Sequence, residues 1–89
     1  MYDLEFDADW IGYFKNVPPS IQKRFKKRLR KYGIFPTSAF RHEKYGINYF
    51  VDEIGQYRIL FVSDEKSKIR RFYFIGDHKD YEKFLGVRK

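Results

Sequence analysis

The sequence predicts an α+β fold in which an N-terminal helical hairpin packs on an antiparallel sheet, with the elements in the order β-α-α-β-β-β-β-α. Three features lead to this prediction: an alternating apolar and acidic start, two amphipathic helical segments joined by a Pro-Pro pair, and a second half rich in β-branched and aromatic residues. A chain of 89 residues supplies one hydrophobic core and not two. We therefore expect residues 1–89 to form a single domain.

The first strand and the first helix follow from the spacing of apolar residues. Tyr2, Leu4 and Phe6 alternate with acids, as in a half-buried strand. Asp7 can then cap a helix. Pro18-Pro19 stops that helix and can open the next one, because proline is tolerated in a first helical turn. The apolar residues of the first helix fall on one face and are Trp10, Tyr13, Phe14 and Val17.

The second helix is the most clearly amphipathic segment. Its other side is strongly basic, because seven cations and no acid lie between Lys23 and Lys31. No intrahelical ion pair can offset their repulsion. This basic face suits a polyanion such as RNA, and a merely solvated face is the simpler alternative. Gly33 is a natural stop for the helix. The apolar stripe consists of Ile21, Phe25, Leu29 and Tyr32.

The second half predicts strands separated by glycine and polar turns. Gly46 and Gly55-Gln56 interrupt the earlier stretches, and Asp64-Glu65-Lys66-Ser67 supplies turn chemistry between the last two. The last two stretches therefore predict a β-hairpin. The extended stretches are 38–45, 47–53, 57–63 and 68–75, and a short helix or turn over 78–85 follows them.

Composition and charge narrow the function. The net charge is +7 and the isoelectric point is near 9.7, which favours a nucleic acid or an anionic membrane surface as partner. The chain has no cysteine and two histidines, and no carboxylate cluster has a ligand spacing, so we expect neither a metal nor a cofactor. No apolar run approaches the roughly 20 residues of a membrane span. The first residues also lack the basic start of a signal peptide, so we expect a cytoplasmic protein, and of the two kinds of partner we expect nucleic acid and no membrane.

The predicted hairpin places chemically useful residues together. An antiparallel pair brings the start of one strand beside the end of the next, so Arg58 should lie near His78, with Tyr81 close by. A fixed cation beside a titratable imidazole suits phosphodiester chemistry. Each residue also has an ordinary structural alternative. Arg58 could form an ion pair with Glu53 or Asp77, His78 could be solvated, and Tyr81 could pack under the last helix.

Element order and two motifs resemble the RelE/ParE superfamily of type II toxins. The run Gly55-Gln56-Tyr57-Arg58-Ile59 is similar to the Gly-x-Tyr-Arg-aliphatic start of the family's penultimate strand. The ending Gly76-Asp77-His78-Lys79-Asp80-Tyr81 resembles the Gly-x-His-x-x-aromatic ending of YafQ-like members. The resemblance spans essentially the whole chain.

RelE-like members are ribosome-dependent endoribonucleases that cut mRNA in the A site. The resemblance therefore implies a toxin that cleaves mRNA and inhibits translation without a metal or cofactor. Its implied partners are the ribosome, mRNA and a small acidic antitoxin. In this likeness Arg58 contacts the scissile phosphate, His78 is the general acid or base, and Tyr81 stacks on or positions the substrate. His42 stands where YafQ-like members carry an upstream histidine.

Two departures from RelE leave other functions open. Val51 and Glu53 stand about where RelE carries basic residues, so Glu53 could act as a base or mark lost activity. The alternatives are a ParE-like inhibitor of gyrase without nuclease chemistry and a catalytically silent nucleic-acid-binding module, because a fold alone does not decide function. The cations expected to bind RNA are Lys23, Lys27, Arg30, Lys31, Lys44 and Arg71.

Overall fold

A computed structural model describes residues 1–42 and 49–86 of the chain. The predicted order of elements is confirmed, and the second predicted helix is divided in two. The last helix has the predicted bounds. The elements are β1 (Asp3–Phe6), α1 (Trp10–Asn16), α2 (Pro19–Lys27), α3 (Leu29–Ile34), a 3₁₀ turn (Thr37–Ala39), β2 (Arg41–His42), β3 (Phe50–Ile54), β4 (Tyr57–Asp64), β5 (Ile69–Asp77) and α4 (His78–Leu85).

The strands of the described residues form one sheet in the order β1-β5-β4-β3-β2. Neighbours from β2 to β5 are antiparallel, as predicted. β1 instead joins the sheet parallel to β5, with Asp3 beside Ile69 and Phe6 beside Phe72. The sheet is therefore mixed. Two parallel strands need a long connection between them, and the helices that follow β1 form part of that connection.

The second helix breaks at Arg28, where the sequence predicts a continuous helix as far as Tyr32. The side chain of Arg28 donates from Nη1 to Oδ2 of Asp52 and to the carbonyl of Glu53, each at 2.9 Å. Tyr32 donates its hydroxyl to the same Oδ2 at 2.7 Å. Burial, and then the charge of Asp52, raise the pKa of Tyr32. These contacts with β3 favour a break in the helix at Arg28. Tertiary contacts thus override the helical tendency of the local sequence.

Aromatic side chains fill the layer between the sheet and the first three helices. Phe25 and Tyr32 lie at its centre, each fully or almost fully buried, and contact Phe72 with ring centroids 5.9 and 5.0 Å away. A bulge opposite Leu60 and Phe61 leaves Tyr73 without a partner in the register. As a result Phe72 and Phe74 point to opposite faces of the sheet. The second face, which includes Phe74, is covered by α4.

A buried arginine joins the chain start to two loops. Arg70 is 0% exposed, and its guanidinium lies 3.5 Å from the ring centre of Tyr2. It donates to the hydroxyls of Ser63 and Thr37 at 3.0 and 3.1 Å. Glu65 in the β4–β5 turn accepts hydrogen bonds from the hydroxyls of Tyr2, Thr37 and Ser63. We call these five residues the hydroxyl network, and it ties β1 to the hairpin.

Candidate active site

The candidate active site is a surface cleft of about 500 Å³ between the start of β4 and the start of α4. The register of β4 and β5 places Arg58 beside Gly76 and Tyr57 beside Asp77. The chain continues from Asp77 directly into His78, so the structure brings Arg58 and His78 to the same cleft. The lining residues are Glu53, Gly55, Gln56, Tyr57, Arg58, Asp77, His78 and Lys79.

Arg58 is held from two sides. Its Nε lies 3.4 Å from Oε2 of Glu53, and its guanidinium carbon lies 4.6 Å from the centre of the Tyr81 ring. The Arg58 side chain is 27% exposed, so its charge remains accessible from the cleft. The sequence allowed a purely structural role for Arg58 as the ion-pair partner of Glu53. The structure contains this ion pair, and the guanidinium still reaches the cleft.

Tyr81 lies beneath the arginine and not on the surface. The residue is only 4% exposed and packs with Phe74 in the cluster under α4. A ring this buried has no free face for a substrate base. The resemblance implies stacking on the substrate or positioning it. The structure places the Tyr81 ring under the guanidinium of Arg58 and 6.4 Å from the ring of His78, so Tyr81 can position a substrate through these two side chains.

His78 opens α4 and is well exposed. Asp77 caps the helix by accepting a hydrogen bond from the backbone N–H of Asp80 at 2.9 Å. Nε2 of His78 lies 2.9 Å from Oε2 of Glu82, one turn further along, and the His78 side chain is 63% exposed. This contact is an ion pair when the ring is protonated, and it places Nε2 against the carboxylate, which leaves Nδ1 to exchange a proton with a ligand.

Gly76 allows α4 to approach the sheet. A Cβ atom at this position would lie 2.6 Å from Cζ of Phe74 and 3.2 Å from Cβ of Asp80. Any other residue would therefore push the Phe74 ring aside or lift the first turn of α4. The glycine of the Gly-x-His motif thus sets how closely His78 sits to the β4 strand.

The structure does not bring His42 to this cleft, and it places Arg41 in a neighbouring cleft that shares Glu53 with it. In β2 Arg41 pairs with Val51 and His42 pairs with Phe50. Neighbouring strand residues point to opposite faces, so His42 shares the face of Phe50, with ring centroids 5.0 Å apart. Arg41 shares the face of Arg58, and its Nη2 lies 3.4 Å from Oε2 of Glu53. Period-2 reasoning from Glu53 could have found Arg41 only if the register of this two-residue strand had been known.

The basic face of α2 and α3 is largely available to a ligand. Lys23, Lys27 and Arg30 are exposed and form no ion pair within residues 1–42 and 49–86. Sequence reasoning did not single out Arg24, yet its Nη1 lies 3.4 Å from the position of a Cβ on Gly55 at the edge of the cleft. Arg24 therefore connects the basic helix face to the candidate active site.

Two other predicted RNA-binding residues are already engaged. Lys31 lies 3.6 Å from Oδ1 of Asp52 and also over the ring of Phe40. Arg71 pairs with Glu5 at 3.2 Å and with an oxygen of Asp7 at 3.5 Å. A sequence without a register cannot show these protein partners, and RNA binding by Lys31 and Arg71 stays a prediction. Lys44 lies outside the described residues.

Known structures share this fold. The isolated RelE toxin of E. coli superposes with a TM-score of 0.72 at 14% identity, covering 97% of each chain. The toxin–antitoxin complex RelBE2 of Mycobacterium tuberculosis gives 0.76 at 15% identity, covering 86% of this chain and 91% of that one. The RelB–RelE complex of Methanococcus jannaschii gives 0.71 at 19% identity, covering 90% and 96%. No protein-family model matches, and neither does any curated protein sequence.

The chain therefore has the fold of the RelE toxins, as the resemblance predicts. Identities of 13–19% carry the fold and not the reaction. The likeness of the ending to YafQ-like members stays a prediction. In the part of the chain that the structure describes, no helix is long and apolar enough to cross a membrane.

Proposed function

We propose that this protein is the toxin of a type II toxin–antitoxin pair and that it cleaves mRNA on the ribosome. The observation that carries this proposal is the cleft in which a supported arginine, Arg58, faces an exposed histidine, His78. The fold that this chain shares with the RelE toxin over 97% of its length supports the toxin part of the proposal. The basic face of α2 supports a polyanionic partner.

Each residue has a defined part in the proposed reaction. The RNA 2′-hydroxyl gives up its proton and attacks the adjacent phosphorus, and the bond from phosphorus to the 5′-oxygen of the next nucleotide breaks as a 2′,3′-cyclic phosphate forms. The 5′-oxygen takes up a proton as it leaves; His78 carries out one of these two proton transfers and solvent water the other. The guanidinium of Arg58 stabilises the negative charge that develops on the phosphoryl oxygens. Tyr81 and the sheet hold that guanidinium in place, so little reorganisation is needed during the reaction.

His78 is the proton-transfer group of this proposal. Its Nδ1 is available because Nε2 is directed to Glu82, and its exposure leaves room for a substrate. The proposal gives His42 no role, because its pairing with Phe50 puts it on the other face of the sheet. Glu53 is not assigned as the base, because its carboxylate is already shared by Arg41 and Arg58.

An antitoxin partner fits a second surface. A groove of about 470 Å³ lies between α1 and α2, and its walls are almost wholly apolar. Phe6 and Ile11 are 41% and 56% exposed there, and Lys26 of the basic helix lines its edge. An acidic segment with one apolar face would cover the groove and neutralise the neighbouring cations. We therefore assign this groove to the antitoxin.

Single-turnover cleavage of mRNA on programmed ribosomes tests the chemistry. Arg58→Ala and His78→Gln should each lower the rate by about 10²–10⁴, since one removes charge stabilisation and the other removes proton transfer. Ribosome binding should persist in both variants. His42→Gln makes the same chemical change on the opposite face of the sheet and should cleave at close to the wild-type rate.

Other outcomes would select a different function. Cleavage by His78→Gln at the wild-type rate would remove His78 from the mechanism. Growth arrest with a DNA-damage response and no mRNA cuts would favour gyrase inhibition, and binding with neither effect would favour a silent module. If the protein is a toxin, coexpression of its small acidic partner should restore growth.

A further inference from the structure

We infer that Arg41 and Arg58 together form a binding site for one phosphate group of RNA, and that the carboxylate of Glu53 occupies this site until RNA displaces it. The inference rests on the proposed function for its choice of ligand. It goes beyond that proposal by adding a second arginine and by giving Glu53 the role of an internal competitor.

The register of three strands assembles the site. On one side of β3, Arg41 of β2 pairs with Val51. On the other side, Arg58 of β4 pairs with Glu53, two residues after Val51. Because residues two apart share a face, the three side chains converge on the same side of the sheet. Oε2 of Glu53 lies 3.4 Å from Nη2 of Arg41 and 3.4 Å from Nε of Arg58.

The contacts of Glu53 are those of a replaceable ligand. Both distances are longer than the roughly 2.7–2.9 Å of a strong charge-assisted hydrogen bond. A single oxygen serves both arginines, whereas a phosphate has two non-bridging oxygens and can offer one to each. The side chains of Glu53 and Arg41 are 47% and 57% exposed, and ion pairs this exposed are weak.

The surroundings favour an extended ligand at this position. Glu53 lines the cleft of Arg58 and His78, and it also lines a second cleft of about 240 Å³ that contains Arg41. Movement of its side chain would join the two clefts into one path along the sheet. An RNA backbone has the length and the repeated negative charge to follow such a path, and the nearby Arg24 adds a further cation.

Binding of a short RNA made uncleavable by 2′-deoxy substitution tests the inference independently of any reaction. Glu53→Gln should tighten binding roughly 2- to 10-fold, because two weak ion pairs no longer compete with the phosphate. Arg41→Gln should weaken binding, and should weaken it more in the Glu53→Gln background than in the wild type. Asp9→Asn removes the same charge elsewhere on the surface and measures the general electrostatic effect.

Three results would overturn the inference. Glu53→Gln could bind RNA no more tightly than Asp9→Asn, in which case Glu53 is not a competitor. It could lose single-turnover cleavage at unchanged affinity, which would make it the general base. It could instead tighten binding of an acidic peptide and not of RNA, which would assign the site to a protein carboxylate. Tighter RNA binding without cleavage by the wild type would leave the site standing and remove the nuclease function.

Discussion

Glu65 illustrates how neutral hydroxyl groups can stabilise an exposed carboxylate. Ser63, Thr37 and Tyr2 each donate a hydrogen bond to it, and these bonds lower the pKa of Glu65 to about 2. Because the same hydroxyls of Thr37 and Ser63 accept from the buried Arg70, the charge of Glu65 is coupled to the packing of β1 on the hairpin. The pH dependence of stability should therefore contain a contribution from this one residue.

Acid should remove the stabilisation that Glu65 provides. The folded-state pKa lies below the unfolded value of about 4.3, so the stabilisation is complete above about pH 5 and is lost as the pH falls towards 2. Glu65→Gln should melt below the wild type at pH 7, and the two melting temperatures should converge near pH 2. Thermal denaturation across this range measures the effect, with Asp9→Asn as the control for losing one carboxylate. A difference in melting temperature that stays constant from pH 7 to pH 2 would contradict it.

Individual site residues differ in how far a sequence can reveal them. Arg58 and His78 flank a hairpin whose antiparallel geometry is implied by local turn chemistry, so their proximity is predictable. Arg41 depends on the register of β2, which has two residues and no pattern of its own. If the register of such a strand shifts by one residue, every side chain moves to the other face of the sheet. The register therefore decides whether Arg41 or His42 lies on the face of Arg58.

At the scale of single elements, the basic face of α2 and α3 has charge that its own sequence cannot balance. Arg28, between the two helices, and Lys31 in α3 both pair with Asp52 on β3, which fixes the inner edge of this face to the sheet. The outer edge, with Lys23, Lys27 and nearby Arg30, keeps its charge exposed. We therefore expect the outer edge to contribute to affinity and the inner edge to stability.

Neutralising the outer edge should weaken binding to ribosomes. The triple substitution of Lys23, Lys27 and Arg30 by Gln should lower affinity and flatten its salt dependence by roughly 0.7–0.9 unit of slope for each phosphate that the helix no longer neutralises. Folding should be unchanged or slightly improved, because like charges one turn apart repel. A salt titration of ribosome binding measures the slope. The matched control removes three exposed lysines elsewhere, Lys15, Lys66 and Lys83, and equal slopes for the two triple variants would mean that the helix face is merely solvated.

Element boundaries followed local signals wherever those signals were strong. The Pro-Pro pair separates α1 from α2, and Gly86 ends α4 in the left-handed conformation with φ of 71°. The break at Arg28 carries no such signal, since its cause is a carboxylate on a distant strand. The parallel pairing of β1 with β5 likewise cannot be predicted from the residues of β1 alone. An alternating pattern shows which face of a strand is buried, but not which strand pairs with its edge.

For the whole molecule, stability depends on a core made mainly of aromatic rings. Phe25 is 2% exposed and contacts several rings of that core, including Trp10 at 5.1 Å and Tyr32 at 5.6 Å. Phe25→Ala should cost about 3–5 kcal/mol of unfolding free energy, out of the roughly 5–15 kcal/mol that a domain has in total. The variant should melt far below the wild type or aggregate. Phe35→Ala, at a ring that is 43% exposed, is the matched control and should melt close to the wild type.

The parallel pairing of β1 with β5 has a consequence for how the chain is made. The backbone N–H of Asp3 donates to the carbonyl of Lys68, and β1 pairs along its length with β5. Because β5 lies much later in the sequence, β1 is synthesised long before the strand that it pairs with. During translation β1 must wait, with its edge unpaired, until β5 has left the ribosomal exit tunnel. The β4–β5 hairpin that carries Arg58 closes by local contacts within the last part of the chain. The cleft therefore cannot be complete on a nascent chain until β5 and the start of α4 have also left the tunnel.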